Sequence, residues 1–142
     1  MIRIDPTVMD RMGGGVDLRR QRTAAMAEFV ADRAAPLSAP DRELLRAIYV
    51  MGQDVSDVAA LLGVAPRTLR RRVKRLLARI STREYVLVQR AGERLPPTRR
   101  RVGMAMFIEG KSLRATSIEL KLSLHSVRRH ADAIRALVEG GR

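Results

Sequence analysis

Gly63 and Pro66, three positions apart, constrain this chain more than any other residues in it. They sit inside the stretch DVSDVAALLGVAPRTLRRRVKRLLARI, Asp54 to Ile80, which has apolar residues at helical spacing on both sides of them. A glycine takes positive φ at little steric cost, as a sharp reversal between two helices requires. A proline lacks the N–H that a first helical turn leaves unpaired, so it suits a helix start. Before Gly63, the residues Val55, Val58, Ala59 and Leu62 form one stripe, and the small Ala59 lets a second helix approach closely. Val64 is expected to plug the turn into the core. After Pro66, the stripe is Leu69, Val73, Leu76, Leu77 and Ile80, which predicts a helix over 66–80. The whole segment is predicted to be a helix-turn-helix.

The other side of the second helix is cationic. Turning about 100° per residue from Leu69 places Arg67, Arg71, Lys74 and Arg75 away from the stripe, with Thr68, Arg70 and Arg72 flanking it. No Asp or Glu occurs between Asp57 and Glu84, so this charge is expected to be free for an external polyanion. The 142 residues carry a net charge of +13, and the pI is near 11.6. That balance favours nucleic acid over an acidic membrane surface or an acidic protein. The charge lies in two blocks, +5 over residues 41–80 and +6 over 98–142, against +1 over each of 1–40 and 81–97.

Other chemistries find no residues to carry them. With no cysteine there is neither a disulfide framework nor thiolate ligation, and a reducing compartment is tolerated. His125 and His130 are the only histidines and have no third ligand nearby, so no metal is expected. Gly13, Gly14 and Gly15 lead into VDLRR rather than the Lys-Ser or Lys-Thr of a phosphate-binding loop. The serines have no matching His and Asp. The chain is therefore not expected to be an enzyme or to bind a cofactor. Aromatic residues make up 3%, too few for a single-strand stacking platform, which favours duplex DNA. Nothing resembles an export signal, and no apolar run approaches the roughly 20 residues that span a bilayer. The expected place is the cytoplasm, on the nucleoid, with no membrane contact.

In chain order, residues 1–15 are expected to form an arm, with the glycine run as a break. Residues 16–35 form a predicted helix with Leu18, Met26, Phe29 and Val30 sharing one side. That helix is either a packing element and homodimer contact, or an arm that touches DNA through Arg19, Arg20 and Arg22. Pro36 closes it. Ser38 is an expected N-cap with Asp41 in the next first turn, and Leu44, Leu45, Ile48 and Tyr49 line a support helix. Residues 81–97 are predicted to be a linker helix, with Ser81 and Glu84 as a capping box and Pro96-Pro97 as its end. A short strand at Tyr85–Val88 is the alternative there.

Residues Leu37 to Ile80, LSAPDRELLRAIYVMGQDVSDVAALLGVAPRTLRRRVKRLLARI, carry a resemblance. The stretch resembles region four of bacterial RNA polymerase sigma factors, especially the extracytoplasmic-function branch. The matching positions are Asp41 to Leu45, then Val58, Ala59, Leu62 and Gly63, then Thr68, Leu69, Arg72, Val73 and Arg75. LuxR-type regulators and several recombinase tails share most of this pattern. The resemblance implies a recognition helix that reads duplex DNA, as sigma region four reads the −35 promoter element, and makes RNA polymerase a second partner. A full sigma factor would carry upstream aromatic residues to trap melted bases, whereas Phe29 is the only aromatic ahead of Pro40. A full sigma factor is therefore not expected.

The remainder reads as a weaker copy of the first half, in a single ungapped register that carries Ala47 onto Ala105. In that register Gly52, Leu62, Arg70 and Arg71 likewise meet Gly110, Leu120, Arg128 and Arg129. Leu44, Ile48, Tyr49, Val55, Val64, Thr68 and Leu69 meet Val102, Met106, Phe107, Leu113, Leu122, Ser126 and Val127. Helices are predicted near Thr98–Glu109, Ser112–Lys121 and Leu124–Glu139, with Ser123 capping the last. The last helix has the stripe Val127, Ala131, Ile134 and Val138, and its outward face is His125, Arg129, Asp132, Ala133 and Ala136. Lys121 stands where Gly63 stood, so this turn either strains a non-glycine residue or changes shape.

The expected fold is all-α: an arm and N-terminal helix over 1–36, a first helix-turn-helix unit over 37–80, a linker helix over 81–97 and a second unit over 98–142. The expected function is sequence-specific binding of double-stranded DNA by a transcriptional regulator. Arg67, Thr68, Arg71 and Arg72 are placed nearest base edges, and Arg70, Lys74, Arg75 and Arg79 nearer phosphates. In the second unit, Arg99, Arg100, Arg101, Lys111, Arg114, His125, Ser126, Arg128 and Arg129 are the expected DNA contacts. The alternative is a sigma-like adaptor that bridges RNA polymerase and promoter DNA. A DNA-binding accessory of a recombination system is the third option.

Overall fold

Residues 23–141 are described by the computed structural model, and every regular element among them is helical. The fold is all-α. The described residues begin with helix α1 over 23–33, followed by α2 (Ala39–Leu45), α3 (Val55–Leu62) and α4 (Pro66–Ile80). Next come α5 (Arg83–Ala91), α6 (Pro97–Gly103), α7 (Leu113–Leu120) and α8 (Leu124–Gly140). The arm, the glycine run and the expected residues Leu18, Arg19, Arg20 and Arg22 lie outside the described residues.

Local chemistry sets the boundaries. Pro66 and Pro97 each open a helix at the position where a missing N–H costs nothing. Asp54, Ser112 and Ser123 cap α3, α7 and α8 by accepting from the backbone N–H of Ser56, Ala115 and Ser126 at 2.8, 3.1 and 3.0 Å. Two expected caps differ. Ser38 precedes α2 but donates to Asp41 at 3.2 Å instead of capping. Thr82, rather than Ser81, caps α5 through the Tyr85 N–H at 3.2 Å, because Ser81 turns back to the Leu77 carbonyl. Residues Tyr85–Val88 are helical, so helix packing overrides their preference for strand.

The repeat register holds in the backbone. Both ends of α2, α3 and the first π turn, Arg46–Val50, recur in that register as α6, α7 and the π turn Met104–Ile108. Both π turns close with the same bonds: Met51 N–H to the Arg46 carbonyl, and Glu109 N–H to the Met104 carbonyl, at 2.9 Å each. Gly52 and Gly110 follow, each at φ 72°. The reversal after α3 uses Gly63 at φ 68°, with Val64 N–H bonded to the Ala59 carbonyl at 3.0 Å. After α7, Leu122 N–H meets the Ser117 carbonyl at 3.1 Å, and Lys121 takes φ 56°. The second turn thus keeps its shape and accepts a non-glycine residue in the left-handed region, a conformation costing about 1–2 kcal/mol.

One main core joins the two halves. Val30, Leu44, Leu45, Ala59, Leu69, Val73, Leu76 and Ile80 continue through Tyr85 and Val88 of α5 to Ile108 and Ile134. A smaller cluster of Val102, Val127 and Ala131 lies under α7. The segment expected as a linker therefore sits inside the shared core. Tyr85 is fully buried, donates its hydroxyl to the Arg33 carbonyl, and has its pKa pushed up from 10 to about 12 by burial. Gly103 lets α6 come close: a Cβ there would lie 2.9 Å from Ile134 Cδ1 and 3.0 Å from Val88 Cγ2. The expected roles of Val64 and Leu62 are corrected. They are 40% and 54% exposed, because Ala59 and Val58 carry the inner face of α3 and the turn projects outward.

Candidate nucleic-acid interface

Helix α4 is held from below by Leu69, Val73, Leu76 and Ile80, all buried. Each is worth roughly 1.5–3 kcal/mol of burial, so its orientation is fixed by packing rather than by the polar side chains it displays. Arg67, Thr68, Arg70, Arg71, Arg72, Lys74 and Arg75 are exposed. Among the described residues, no carboxylate pairs with Arg67, Arg71, Lys74 or Arg75. These four share the face away from the core, on a helix of 15 residues.

Three flanking side chains are engaged within the protein. Arg72 Nε and Nη2 donate to Asp41 Oδ1 at 3.2 and 2.6 Å, which ties α4 to the first turn of α2. The expectation that no carboxylate answers the cations of α4 is thus corrected at this residue. Asp41 lies 31 positions upstream, beyond the reach of local charge counting. Arg70 Nη2 approaches Ser56 Oγ at 3.4 Å. Arg79, expected near phosphate, turns inward instead: its Nη1 donates to the Ile108 carbonyl at 3.4 Å. That carbonyl ends the π turn that extends α6, where the helix dipole favours a cation.

The second half spreads its exposed cations over α6, α7 and α8. Helix α8 shows His125, Arg128 and Arg129 to solvent, and Ser126, whose N–H is taken by the Ser123 cap, is half-buried. Asp132 pairs with Arg135 at 3.0 Å. Arg100, Arg101 and Arg114 are exposed. Lys111 is corrected as a phosphate contact: Glu109 at 2.6 Å and Glu119 both hold its ammonium, and those bonds raise its pKa. Arg99 is half-buried rather than displayed, and its Nε lies covered without an acceptor. His130 is half-buried too, and its pKa is lowered by burial first and then by Arg99 and Arg129.

The structure therefore gathers Arg67, Thr68, Arg71, Lys74 and Arg75 on one exposed surface. It engages Arg72, Arg79 and Lys111 in contacts of its own. Two acidic partners were missed, Asp41 and Glu119. Only Glu109, close to Lys111 in the chain, left a local signal in the sequence.

No helix among the described residues is long and apolar enough to cross a membrane, and no group of three or more His, Cys, Asp or Glu among them is arranged to hold a metal ion. No protein-family model, curated protein or solved structure matches the chain.

Proposed function

We propose that the protein is a tandem helix-turn-helix, sequence-specific binder of double-stranded DNA that regulates transcription in the cytoplasm, with α4 entering the major groove. The observation that carries this reading is the face of Arg67, Arg71, Lys74 and Arg75: exposed, unpaired with any described carboxylate, and mounted on a helix locked by its buried side. The major groove, about 12 Å wide, admits one α-helix, and its edges offer guanine acceptors that suit arginine. On this reading Arg67, Thr68 and Arg71, near the start of α4, meet base edges, while Lys74 and Arg75 meet phosphates. Arg72 acts through Asp41 to set the helix angle, and not on bases. Arg100, Arg101, Arg114, Arg128 and Arg129 of the second half grip backbone phosphates and fix register.

The test uses duplexes selected from a random pool. Arg71→Ala is expected to lose about 1–3 kcal/mol of discrimination at one base pair while keeping its affinity for random duplex. Lys74→Ala is expected to weaken all sequences alike and to lower the salt slope by about 1. Equal losses from both variants on selected and random duplexes would refute base reading by α4.

A second reading, an adaptor between RNA polymerase and promoter DNA, draws on a different observation. Leu61 and Leu62 are 83% and 54% exposed and line one groove with Leu44, Ala47 and Val58, an apolar surface suited to a protein contact. Recovery of polymerase with the tagged protein from nuclease-treated lysate, lost on Leu61→Ser, would favour the adaptor. Recovery of the protein alone would favour the plain regulator.

A further inference from the structure

The ion pair that closes the first half has a counterpart in the second, and there the chemistry is inverted. In the repeat register, Asp41 becomes Arg99, Arg72 becomes His130, and Val58 becomes Thr116. Where α2 offers a carboxylate to α4, α6 offers a guanidinium to α8. Three buried side-chain polar atoms without a hydrogen-bond partner are found among the described residues: Arg99 Nε, His130 Nδ1 and Thr116 Oγ1. All three fall at these equivalent positions. Buried polar atoms are nearly always paired, because leaving one unmade costs its full desolvation, so three at these positions require a reason. Their counterparts Asp41 and Arg72 are bonded, and Val58 lines one groove with Arg72.

We propose that Arg99, His130 and Thr116 form a binding site for an oxyanion of the phosphate class, which supplies the negative charge that the Asp41 carboxylate supplies in the first half. A tetrahedral oxyanion has acceptors enough for a guanidinium N–H, an imidazolium N–H and a hydroxyl at once. Thr116 is fully buried, and Arg99 and His130 are half-buried with their Nε and Nδ1 atoms covered, so an oxyanion reaches these donors as the partly exposed Arg99 and His130 side chains turn.

The surrounding charges agree. Arg99 on α6 and Arg129 on α8 act on His130, α7 contributes the uncharged Thr116, and no carboxylate is among the groups that act on the imidazole. The nearby acids of α7 and the α6 turn, Glu119 and Glu109, are both engaged by Lys111. In this cationic, partly dry setting an unliganded imidazole stays neutral more readily, and a bound oxyanion reverses that preference. The site does not depend on α4 entering a groove.

The test is an NMR titration of both histidines in the full chain at constant ionic strength, in chloride alone, with inorganic phosphate, and with a short random-sequence duplex. The His130 pKa is expected to rise by at least one unit when phosphate saturates the site, equivalent to tenfold tighter binding by the imidazolium form. The exposed His125 is the internal reference and is expected to move less. A rise with both probes identifies a site for free phosphate, and a rise with duplex alone identifies a site for a nucleic-acid backbone phosphate. Arg99→Asp is expected to raise the His130 pKa without any anion and to abolish the response. Thr116→Val, which installs the residue of the first half, is expected to keep the fold and weaken phosphate binding severalfold. A His130 pKa unmoved by both probes, or moved only as far as His125, would overturn the proposal. A phosphate response in a chain that binds no duplex would leave the site standing and remove the proposed DNA function.

Discussion

Arg67, Arg71, Lys74 and Arg75 on α4 correspond, in the repeat register, to His125, Arg129, Asp132 and Ala133 on α8. Four cations on one helix thus face a histidine, one arginine, an aspartate and an alanine on the other, over backbones with the same turns. Outward positions diverge because nothing packs on them. The reversals at Gly63 and Lys121 and the glycines after both π turns persist because the chain path needs them. Inside, one exchange stands out: Leu45 fills the core of the first half, whereas its counterpart Gly103 opens room for Val88 and Ile134. Insertion of α5 into the shared core explains that difference, since a leucine at 103 would occupy the same space.

Substitutions at Gly103, at the paired glycines 110 and 52, and at Lys121 break or sharpen this comparison. Gly103→Ala is expected to have the largest effect, a loss of about 1–3 kcal/mol in chemical denaturation from overpacking against Ile134 and Val88. An unchanged midpoint would show that α5 does not hold the halves as closely as the packing indicates. Next are Gly110→Ala and Gly52→Ala, which share a φ of 72° and differ in surroundings. Both are expected to lose about 1 kcal/mol from backbone strain. Gly110→Ala should lose more, because its Cβ would meet the Arg79 guanidinium at 2.5 Å while Gly52 faces open space. Equal losses would mean that Arg79 moves aside freely. The smallest effect is a gain. Lys121→Gly is expected to stabilise the chain by up to about 1 kcal/mol, the relief of left-handed strain less the added freedom of the unfolded glycine. A loss would place a stabilising contact on the Lys121 side chain.

Much of this was legible before any coordinates. Pro66 and the Leu69, Val73, Leu76 and Ile80 stripe located α4, and the register pairing Ala47 with Ala105 anticipated which backbone elements recur. These features are local or periodic, so a linear reading captures them. The sequence did not reveal which cations are neutralised. The partner of Arg72 is 31 residues away, that of Arg79 is a backbone carbonyl 29 residues on, and Lys111 meets Glu119 from the far end of α7. Val64 misled because an apolar residue next to a turn is not thereby inside; the path of the turn decides, and here it projects outward. The π turns left no signal, since Arg46–Val50 and Met104–Ile108 have ordinary helical composition.

The hold of Arg79 on the Ile108 carbonyl, made possible by the bare Cα of Gly110, carries a consequence of phase. It fastens the last turn of α4 to the second half, leaving little slack for the two ends of the molecule to rotate about one another. On the proposed reading, such a protein acts as a fixed gauge along the duplex. One extra base pair between its two footprints would swing the far contacts by about 34° around the helix axis, a mismatch the protein would have to unfasten itself to follow.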